Sequence, residues 1–252
     1  MTSIFDLTGK TAVVTGARKG IGFGITSILA EYGANIIAVS SMQGSGGEEI
    51  EQVVRGFGRN FQGITCDLSN RSELTRVSQT LANEKIDILV NNAGIANRNV
   101  ALEHSDAEWD QTIEVDLSAP FILSRELARG MIARGYGKIV NIASMWSYLG
   151  GINVISYTAA KTALVGLTRG LSNEWVSSGV TVNAIAPGFI ETDINIRVRA
   201  DQSRFEAISG RIPAKRWGKP ADLAGAALFL CSPASDYVSG VVIPVDGGFL
   251  AN

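Results

Sequence analysis

Hydrophobic residues fall into short runs along the chain, and these runs alternate with longer stretches that have helical spacing. The short runs are rich in β-branched residues and lack a clean apolar–polar alternation, which is typical of strands buried on both faces. They predict strands at residues 11–15, 36–40, 63–66, 86–91, 139–142, 181–185 and 241–244. The stretches between them predict helices at residues 21–32, 48–56, 71–81, 107–134, 157–177 and 221–231. Repeated strand–helix units indicate an α/β fold with a parallel sheet and right-handed crossovers.

The segment 191–217 interrupts this rhythm and is called the insertion below. It is polar, with six basic and four acidic residues. Long insertions in compact domains often cover a binding site, so we expect it to cover the substrate, with a solvated helical hairpin as the alternative. Nothing else divides the chain, and we expect one domain spanning residues 1–252.

Composition excludes several classes of function. Hydrophobic residues make up 46% of the 252 residues and charged residues 18%, which is too apolar for a disordered protein. The net charge of −2 provides no field that favours nucleic acid or an anionic membrane. One histidine and two cysteines without a CxxC pair leave too few ligands for a zinc site, so we expect no metal.

The cellular compartment is predicted from features that the sequence lacks. Residues 1–7 have no basic region before an apolar stretch, so they do not resemble a signal peptide. Residues 139–160 carry no charge but contain too many polar residues for a bilayer span. For Cys66 and Cys231, two free thiols are favoured over a single disulfide. These features indicate the cytoplasm.

The first predicted strand runs into a glycine-rich turn, Thr15 to Gly22, and a helix follows. Glycines at such a turn let the backbone approach a pyrophosphate, and the free amides and dipole of the helix favour its negative charge. The spacing is G-x3-G-x-G rather than G-x-G-x-x-G. Alone the motif is weak, and an ordinary tight turn is the alternative; its place between a strand and a helix favours a dinucleotide.

Residues near the end of the second strand favour NADP(H) over NAD(H). An acidic residue there would bind the ribose 2′-hydroxyl and repel a 2′-phosphate. This chain has Ser40 and Ser41 instead, with Arg18 and Lys19 in the turn. Two cations and two hydroxyls suit a phosphate better than a diol. NAD(H) remains possible, since the two cations can also be solvated surface charges.

Ser144, Tyr157 and Lys161 form the pattern Ser-x12-Tyr-x3-Lys. Tyr157 and Lys161 share one face of a predicted helix, and Ser144 follows a strand at the edge where α/β folds bind ligands. A tyrosine can exchange a proton with a substrate oxygen if a nearby ammonium lowers its pKa from about 10. Ser144 can hydrogen-bond the same oxygen. Tyr-x3-Lys alone is most often an ordinary amphipathic pair, so the prediction depends on all three motifs together.

These motifs, together with Asn91-Asn92-Ala93-Gly94 and Pro187-Gly188, resemble the short-chain dehydrogenase/reductase family in order and spacing over essentially the whole chain. The resemblance implies a single Rossmann-type domain whose parallel sheet has about seven strands with helices on both faces, usually in a homotetramer. It implies that Tyr157 donates or accepts the proton. Lys161 would contact the nicotinamide ribose and Tyr157, and Ser144 the substrate oxygen.

The resemblance also implies contacts to the cofactor beyond Gly16, Gly20 and Gly22. Asp67 would approach the adenine, Asn91 and Gly94 would line the cofactor, and Ile190 and Thr192 would contact the nicotinamide amide. Neighbouring residues complete the expected cofactor-binding set: Ile21, Leu68, Ala93, Pro187 and Gly188. In the family, a basic residue at the position of Lys19 accompanies NADP.

One position departs from the family pattern. Members usually have asparagine where this chain has Asp116, and the family assigns that residue to a helix kink and a proton-relay water. An ionised Asp116 accepts hydrogen bonds but cannot donate them. A negative charge near Lys161 would also weaken the effect of that ammonium on Tyr157. Asp116 is therefore left out of the expected catalytic set.

The substrate is predicted mainly from the resemblance. Segments such as 143–145, 173–175 and 211–218 are most similar to the sugar-acid branch, which includes 2-deoxy-D-gluconate 3-dehydrogenases and gluconate 5-dehydrogenases. From the residues, Arg98 or an arginine of the insertion can pair with a substrate carboxylate, although Arg98 can equally be a surface charge. Trp146 and Tyr148 can form an apolar wall.

We therefore expect an NAD(P)-dependent oxidoreductase acting on a small secondary alcohol or ketone, namely a sugar acid, polyol or keto-sugar. The expected substrate contacts are Arg98, Ser144, Trp146 and Tyr157. A 3-oxoacyl thioester reductase is the alternative enzyme. A nucleotide-binding sensor without catalysis is the alternative from another class, and the intact Ser144, Tyr157 and Lys161 argue against it.

Overall fold

Seven parallel strands form one sheet in the computed structural model of the chain, which describes residues 3–41 and 47–251. The strands are β1 (Thr11–Thr15), β2 (Asn35–Ser40), β3 (Phe61–Thr65), β4 (Ile88–Asn91), β5 (Gly137–Ile142), β6 (Val180–Pro187) and β7 (Val242–Val245). Their order is β3-β2-β1-β4-β5-β6-β7. The predicted fold class is confirmed, and the strand ends differ from the predicted ones by at most two residues.

Helices cover both faces of the sheet, as predicted. They are α1 (Gly20–Glu31), α2 (Gly47–Gly56), α3 (Arg71–Ala82), α4 (Asp106–Ile113), α5 (Ala119–Arg134), α6 (Ile155–Trp175), α7 (Ile196–Ala200), α8 (Gln202–Arg211) and α9 (Pro220–Cys231). Apolar side chains of α1, α2 and α9 share one core with one face of the sheet. Those of α3, α5 and α6 form a second core with the other face. Along β1, Ala12 and Val14 enter the first core and Val13 the second, because side chains alternate across a strand.

The strand order reverses between β1 and β4, and this reversal positions the site. The chain leaves β1 toward β2 on one side and leaves β4 toward β5 on the other. Connections that diverge in this way open a crevice beyond the carboxyl ends of the two strands, where open α/β sheets bind ligands. Thr15 ends β1 and Asn91 ends β4, so the two predicted motifs flank the crevice.

The prediction of a single helix at 107–134 is wrong, because the structure has two helices there, α4 and α5. A wide π-type turn, Glu114–Ser118, joins them, and the Ala119 amide donates to the Glu114 carbonyl five residues earlier. Pro120 explains the break: it has no amide hydrogen, and in a regular helix its ring would clash with the carbonyl of Asp116, four residues earlier. The turn places Asp116 in the interior, with no exposed surface.

Three further observations bear on the predicted class of protein. Cys66 and Cys231 are both free and buried, as predicted. None of the helices described above is long and apolar enough to cross a membrane. Within residues 3–41 and 47–251, no group of three or more His, Cys, Asp or Glu side chains is placed to hold a metal ion.

Candidate active site

The glycine-rich turn between β1 and α1 has the shape and the free amides that a phosphate needs. An ideal Cβ at Gly22 would lie 2.2 Å from the Gly16 carbonyl oxygen, so only glycine fits this close approach. Lys19, the N-cap of α1, makes no side-chain hydrogen bond to the first turn, which contains no acidic residue. The amides at the start of α1 therefore remain available for an anion.

Asn92 holds this turn against the end of β4. Its Nδ2 donates to the carbonyls of Thr15 (2.9 Å) and Gly16 (3.2 Å). In return, the Thr15 hydroxyl accepts from the amides of Asn92 (3.0 Å) and Ala93 (2.9 Å). The sequence prediction missed Thr15 and Asn92 as site residues. The signal was present in the second asparagine of the Asn91–Gly94 motif.

Arg18 and Ser40 fit the predicted phosphate at the adenosine end. Arg18 Nη1 donates to the Ser41 carbonyl at 3.3 Å, which brings the guanidinium to the end of β2. The Arg18 Nε and the Ser40 hydroxyl are buried, and neither has a hydrogen-bond partner among the described residues. Buried polar groups are almost always paired, so these two groups at the end of β2 fit an acceptor such as a phosphate oxygen.

Lys19 does not join Arg18 in the structure. Its ammonium lies 2.7 Å from Asp193 of the insertion, and both side chains are exposed. The neighbouring Thr192 also faces the turn, since a Cβ at Gly20 would lie 3.2 Å from its methyl carbon. The insertion therefore begins on the phosphate-binding turn, a contact that sequence spacing could not predict across 174 positions.

Among the other expected cofactor residues, Asn91 needs a correction. Its side chain points into the interior and donates to Ser124 (3.1 Å) and Asn141 (2.8 Å), so only its backbone can line a cofactor. Asp67 is exposed after β3, where its Oδ1 accepts from the Ser69 amide and hydroxyl. Leu68 beside it is buried.

Pro187 and Gly188 lead the chain out of β6 toward the insertion. Pro187 pairs with Val245 of β7, and the Gly188 amide donates to the Val245 carbonyl at 3.0 Å. Ile190 is buried and bridges to Gly218. The two ends of the insertion are thus joined, and Thr192 follows directly over the crevice.

Ser144, Tyr157 and Lys161 lie together at the carboxyl end of β5, as predicted. Ser144 follows β5, and its side chain acts to lower the pKa of the Tyr157 phenol. Tyr157 and Lys161 lie in the first two turns of α6, with the Lys161 Nζ 5.5 Å from the centre of the Tyr157 ring. The Lys161 ammonium donates to the Ile142 carbonyl at 2.9 Å, which fixes α6 to the end of β5.

Asp116 forms a buried ion pair behind these residues. Its Oδ2 lies 3.2 Å from the Lys161 Nζ, and its Oδ1 accepts from the Ile95 amide at 2.8 Å. Gly94 leaves room for the pair, since a Cβ there would lie 2.9 Å from the Asp116 Oδ2. The expectation that Asp116 lies near Lys161 is confirmed.

The net electrostatic effect on Tyr157 differs from the predicted one. Burial raises the pKa of Tyr157 above its ordinary value, and Asp116 adds to the rise. Lys161, Ser144 and Arg98 lower the pKa but do not reverse the direction. The predicted contribution of Lys161 is confirmed in sign, whereas the predicted net lowering is wrong, because burial and a second charge act against it.

The substrate side of the crevice is bounded by Arg98 and by an aromatic cluster. Arg98 lies close enough to Tyr157 to affect its pKa, and its Nη2 donates to Asn195 of the insertion at 3.4 Å. Trp146 does not form an apolar wall by itself but packs within an aromatic cluster. Its ring packs edge-on against Phe189 at 6.2 Å, within a cluster that also contains Phe205, Trp217 and Phe249.

Tyr148, the other residue expected in the apolar wall, is exposed. In the cluster, Phe205 of α8 stacks on Trp217 at 5.4 Å, and Trp217 lies 5.1 Å from Phe189. Since Phe189 follows β6, the cluster fastens the insertion to the sheet beside the crevice.

Known proteins resemble the chain over nearly its full length. Residues 16–250 match the family model described as enoyl-(acyl carrier protein) reductase. The 2-dehydro-3-deoxy-D-gluconate 5-dehydrogenase of Pseudoalteromonas atlantica is 49% identical over 252 residues, and the match covers 99% of each chain.

Two solved structures share the fold closely. One, described as a candidate NAD(P)-dependent gluconate 5-dehydrogenase from Beutenbergia cavernae, has NADP bound at low occupancy; it is 44% identical with a TM-score of 0.96, covering 99% of this chain and all of that one. The other, described as a candidate 2-deoxy-D-gluconate 3-dehydrogenase from Agrobacterium tumefaciens, has NADP bound. It is 43% identical with a TM-score of 0.93, and each chain is covered fully.

Replacing Gly22 with alanine tests the phosphate turn. The added methyl would clash with the Gly16 carbonyl and the Asn92 side chain and displace both, at a cost of about 1–3 kcal/mol. We expect about ten- to a hundredfold weaker binding of the nicotinamide cofactor, measured by fluorescence titration. Gly166→Ala is the control, because Gly166 lies in α6 and a Cβ added there would have no neighbouring atom within 4 Å. Equal affinity of the two variants would contradict the assignment.

Proposed function

The chain belongs to the short-chain dehydrogenase/reductase family, and we propose that its geometry serves hydride transfer between NADP(H) and a secondary alcohol or ketone of a sugar acid. It is an NAD(P)-dependent oxidoreductase that acts on a CH–OH group. The observation that carries the proposal is the convergence of Ser144, Tyr157 and Lys161 at the carboxyl end of β5, beside the crevice.

In the proposed reaction, the bound nicotinamide supplies or accepts the hydride. Tyr157 donates its phenolic proton to the carbonyl oxygen during reduction, or takes the proton of the alcohol during oxidation. The Ser144 hydroxyl, which lies near enough to that phenol to influence its pKa, holds the same substrate oxygen and stabilises developing negative charge. Lys161 keeps a positive charge beside the phenol and so favours its ionised form.

The cofactor is NADP(H), which is also the nucleotide found in the related structures. We propose that the amides at the start of α1 hold the pyrophosphate, and that Arg18 and Ser40 hold the 2′-phosphate. The Arg18 Nε and the Ser40 hydroxyl support this assignment, since both are buried and neither has a hydrogen-bond partner within residues 3–41 and 47–251. Lys19 would add positive charge at the rim, in balance with Asp193.

The substrate is a small sugar acid, as the names of the relatives indicate. For its carboxylate we propose Arg98, because a guanidinium matches a carboxylate in shape and charge. Arg98 lies near the Tyr157 phenol and contacts Asn195. An acid bound to Arg98 would be covered by the insertion, because Asn195 belongs to that segment. The contact between Arg98 and Asn195 thus supports treating residues 191–217 as a lid within the single domain.

We extend the proposal to a homotetramer in the cytoplasm. The family resemblance supports the assembly. Free, buried Cys66 and Cys231 are compatible with a reducing compartment.

A 3-oxoacyl thioester reductase is the second candidate, and the name of the matching family model favours it. A 3-oxoacyl thioester has a thioester group in place of a carboxylate, so it would not use Arg98 in the proposed way. The third possibility, a sensor without catalysis, is not favoured, since the geometry of all three expected catalytic side chains is intact.

Replacing Tyr157 with phenylalanine tests the proton transfer. The ring remains and the hydroxyl group that carries the exchangeable proton is lost, so kcat should fall by about a hundredfold or more. Cofactor affinity should stay nearly unchanged when measured by fluorescence titration. Turnover close to that of the unmodified protein would rule out Tyr157 as the proton-exchanging group.

Replacing Arg98 with glutamine tests the carboxylate contact. A hydrogen bond to a charged group contributes about 1.5–3 kcal/mol, so KM for a sugar acid should rise about tenfold or more. KM for a neutral polyol of the same carbon number should change little. Arg129→Gln on the exposed surface of α5 is the control. An equal rise for acid and polyol would contradict the assignment.

Replacing Arg18 with glutamine tests the choice of cofactor. Loss of the guanidinium should weaken NADPH binding about tenfold or more while leaving NADH binding nearly unchanged, because only NADPH carries the 2′-phosphate. Affinities measured by fluorescence titration give the comparison, again with Arg129→Gln as control. The assignment fails if both cofactors lose affinity equally.

A further inference from the structure

Asp116 is an ionisable group that the proposed chemistry does not require, yet it lies fully buried next to residues on which that chemistry depends. Burial raises the pKa of Asp116, while the Lys161 ammonium and the Ile95 amide act to lower it. The turn Glu114–Ser118 brings it there, and Pro120 prevents this stretch from continuing as a regular helix. A buried carboxylate is costly unless it is paired and hydrogen-bonded. Asp116 has both kinds of partner, the Lys161 ammonium at 3.2 Å and the Ile95 amide at 2.8 Å.

Lys161 is therefore shared between two neighbours. An ammonium has three donors. One is used on the Ile142 carbonyl, and the contact with Asp116 occupies a second direction. The centre of the Tyr157 ring lies 5.5 Å from the same nitrogen. The negative charge of Asp116 therefore opposes the effect of the Lys161 charge on the Tyr157 phenolate.

The charged and hydrogen-bonding groups around Tyr157 come from four elements. Lys161 lies on the same helix, Asp116 on the π-type turn, Ser144 after β5 and Arg98 after β4. Burial raises the pKa of Tyr157, Lys161 opposes the rise, Asp116 adds to it, and Ser144 and Arg98 oppose it. Burial lowers the pKa of Lys161, but Asp116 and Tyr157 together raise it by more, so the lysine stays charged.

We propose that Asp116 is a positioning residue that fixes Lys161 and offsets its charge, and thereby tunes the proton exchange of Tyr157. The inference rests on the proposed function, because it takes Tyr157 as the group that exchanges the proton. It is specific to a carboxylate, since an amide of the same shape would keep the contact to Ile95 but carry no charge.

The expected effect of removing the charge has a definite sign. With asparagine at position 116, the Lys161 charge acts on Tyr157 without compensation, so the pKa of Tyr157 falls. Oxidation of an alcohol needs the ionised phenol, so the rising limb of its pH–rate profile moves to lower pH. Reduction needs the protonated phenol, so the falling limb of that profile moves in the same direction.

The experiment compares the unmodified protein with Asp116→Asn. Tyrosinate absorbance is followed against pH in each protein, and the signal of the matching Tyr157→Phe variant is subtracted to isolate Tyr157. We expect Asp116→Asn to lower the midpoint by about one pH unit or more. The limbs of the pH–rate profiles should move by the same amount. At a fixed pH on the rising limb, the oxidation rate should therefore increase about tenfold.

Asp87→Asn is the matched control for loss of a buried carboxylate. Asp87 is also buried, accepts from the Thr11 amide and pairs with Lys10, but it lies at the opposite edge of the sheet. We expect it to leave the pH profile of activity unchanged. If Asp116→Asn does not fold, Asp116→Ser, which is neutral and smaller, replaces it.

Two results would overturn the inference. An unchanged Tyr157 midpoint would show that Asp116 carries no charge in the working range, and a rise would show the wrong sign. Failure of the proposed function would look different, because Tyr157→Phe would then keep its turnover whatever Asp116 does.

Discussion

The Lys161 ammonium is the point on which the arrangement of the site depends. It joins β5 through the Ile142 carbonyl, the π-type turn through Asp116, and α6 through its own backbone. Tyr157 is held one helical turn away, and Ser144 follows the same strand that Lys161 contacts. Because this charge is buried, each contact is worth more than it would be in water. Moving any one of the three elements would leave a buried charge without its partner.

The insertion extends this arrangement to both ends of the crevice. Asp193 reaches Lys19 at the phosphate turn, while Asn195 reaches Arg98 near Tyr157. The aromatic cluster that includes Phe189 and Trp217 joins the same segment to the chain after β6. One segment thus contacts the proposed cofactor site and the proposed substrate site. Its attachment to the sheet is apolar and largely buried.

Much of this could be predicted from the sequence. The sheet follows from runs of β-branched residues, and the three catalytic candidates follow from motif spacing, because both depend on local patterns. The break between α4 and α5 could also have been predicted, since Pro120 lies four residues after Asp116. The continuous helical spacing of apolar residues instead predicted a single helix. The inward turn of Asn91 and the Lys19–Asp193 pair depend on tertiary packing between distant residues. The net rise in the pKa of Tyr157 depends on burial, which spacing does not measure.

The most direct test of the proposed site is a comparison of substrates for oxidation by the unmodified protein. 2-Dehydro-3-deoxy-D-gluconate, gluconate, a neutral polyol and a 3-hydroxyacyl thioester are each offered with NADP⁺ and with NAD⁺. We predict the highest kcat/KM for a sugar acid with NADP⁺, by about tenfold or more over the neutral polyol, since the carboxylate contact contributes about 1.5–3 kcal/mol. A preference for the thioester, or no turnover of any sugar acid, would contradict the proposed function.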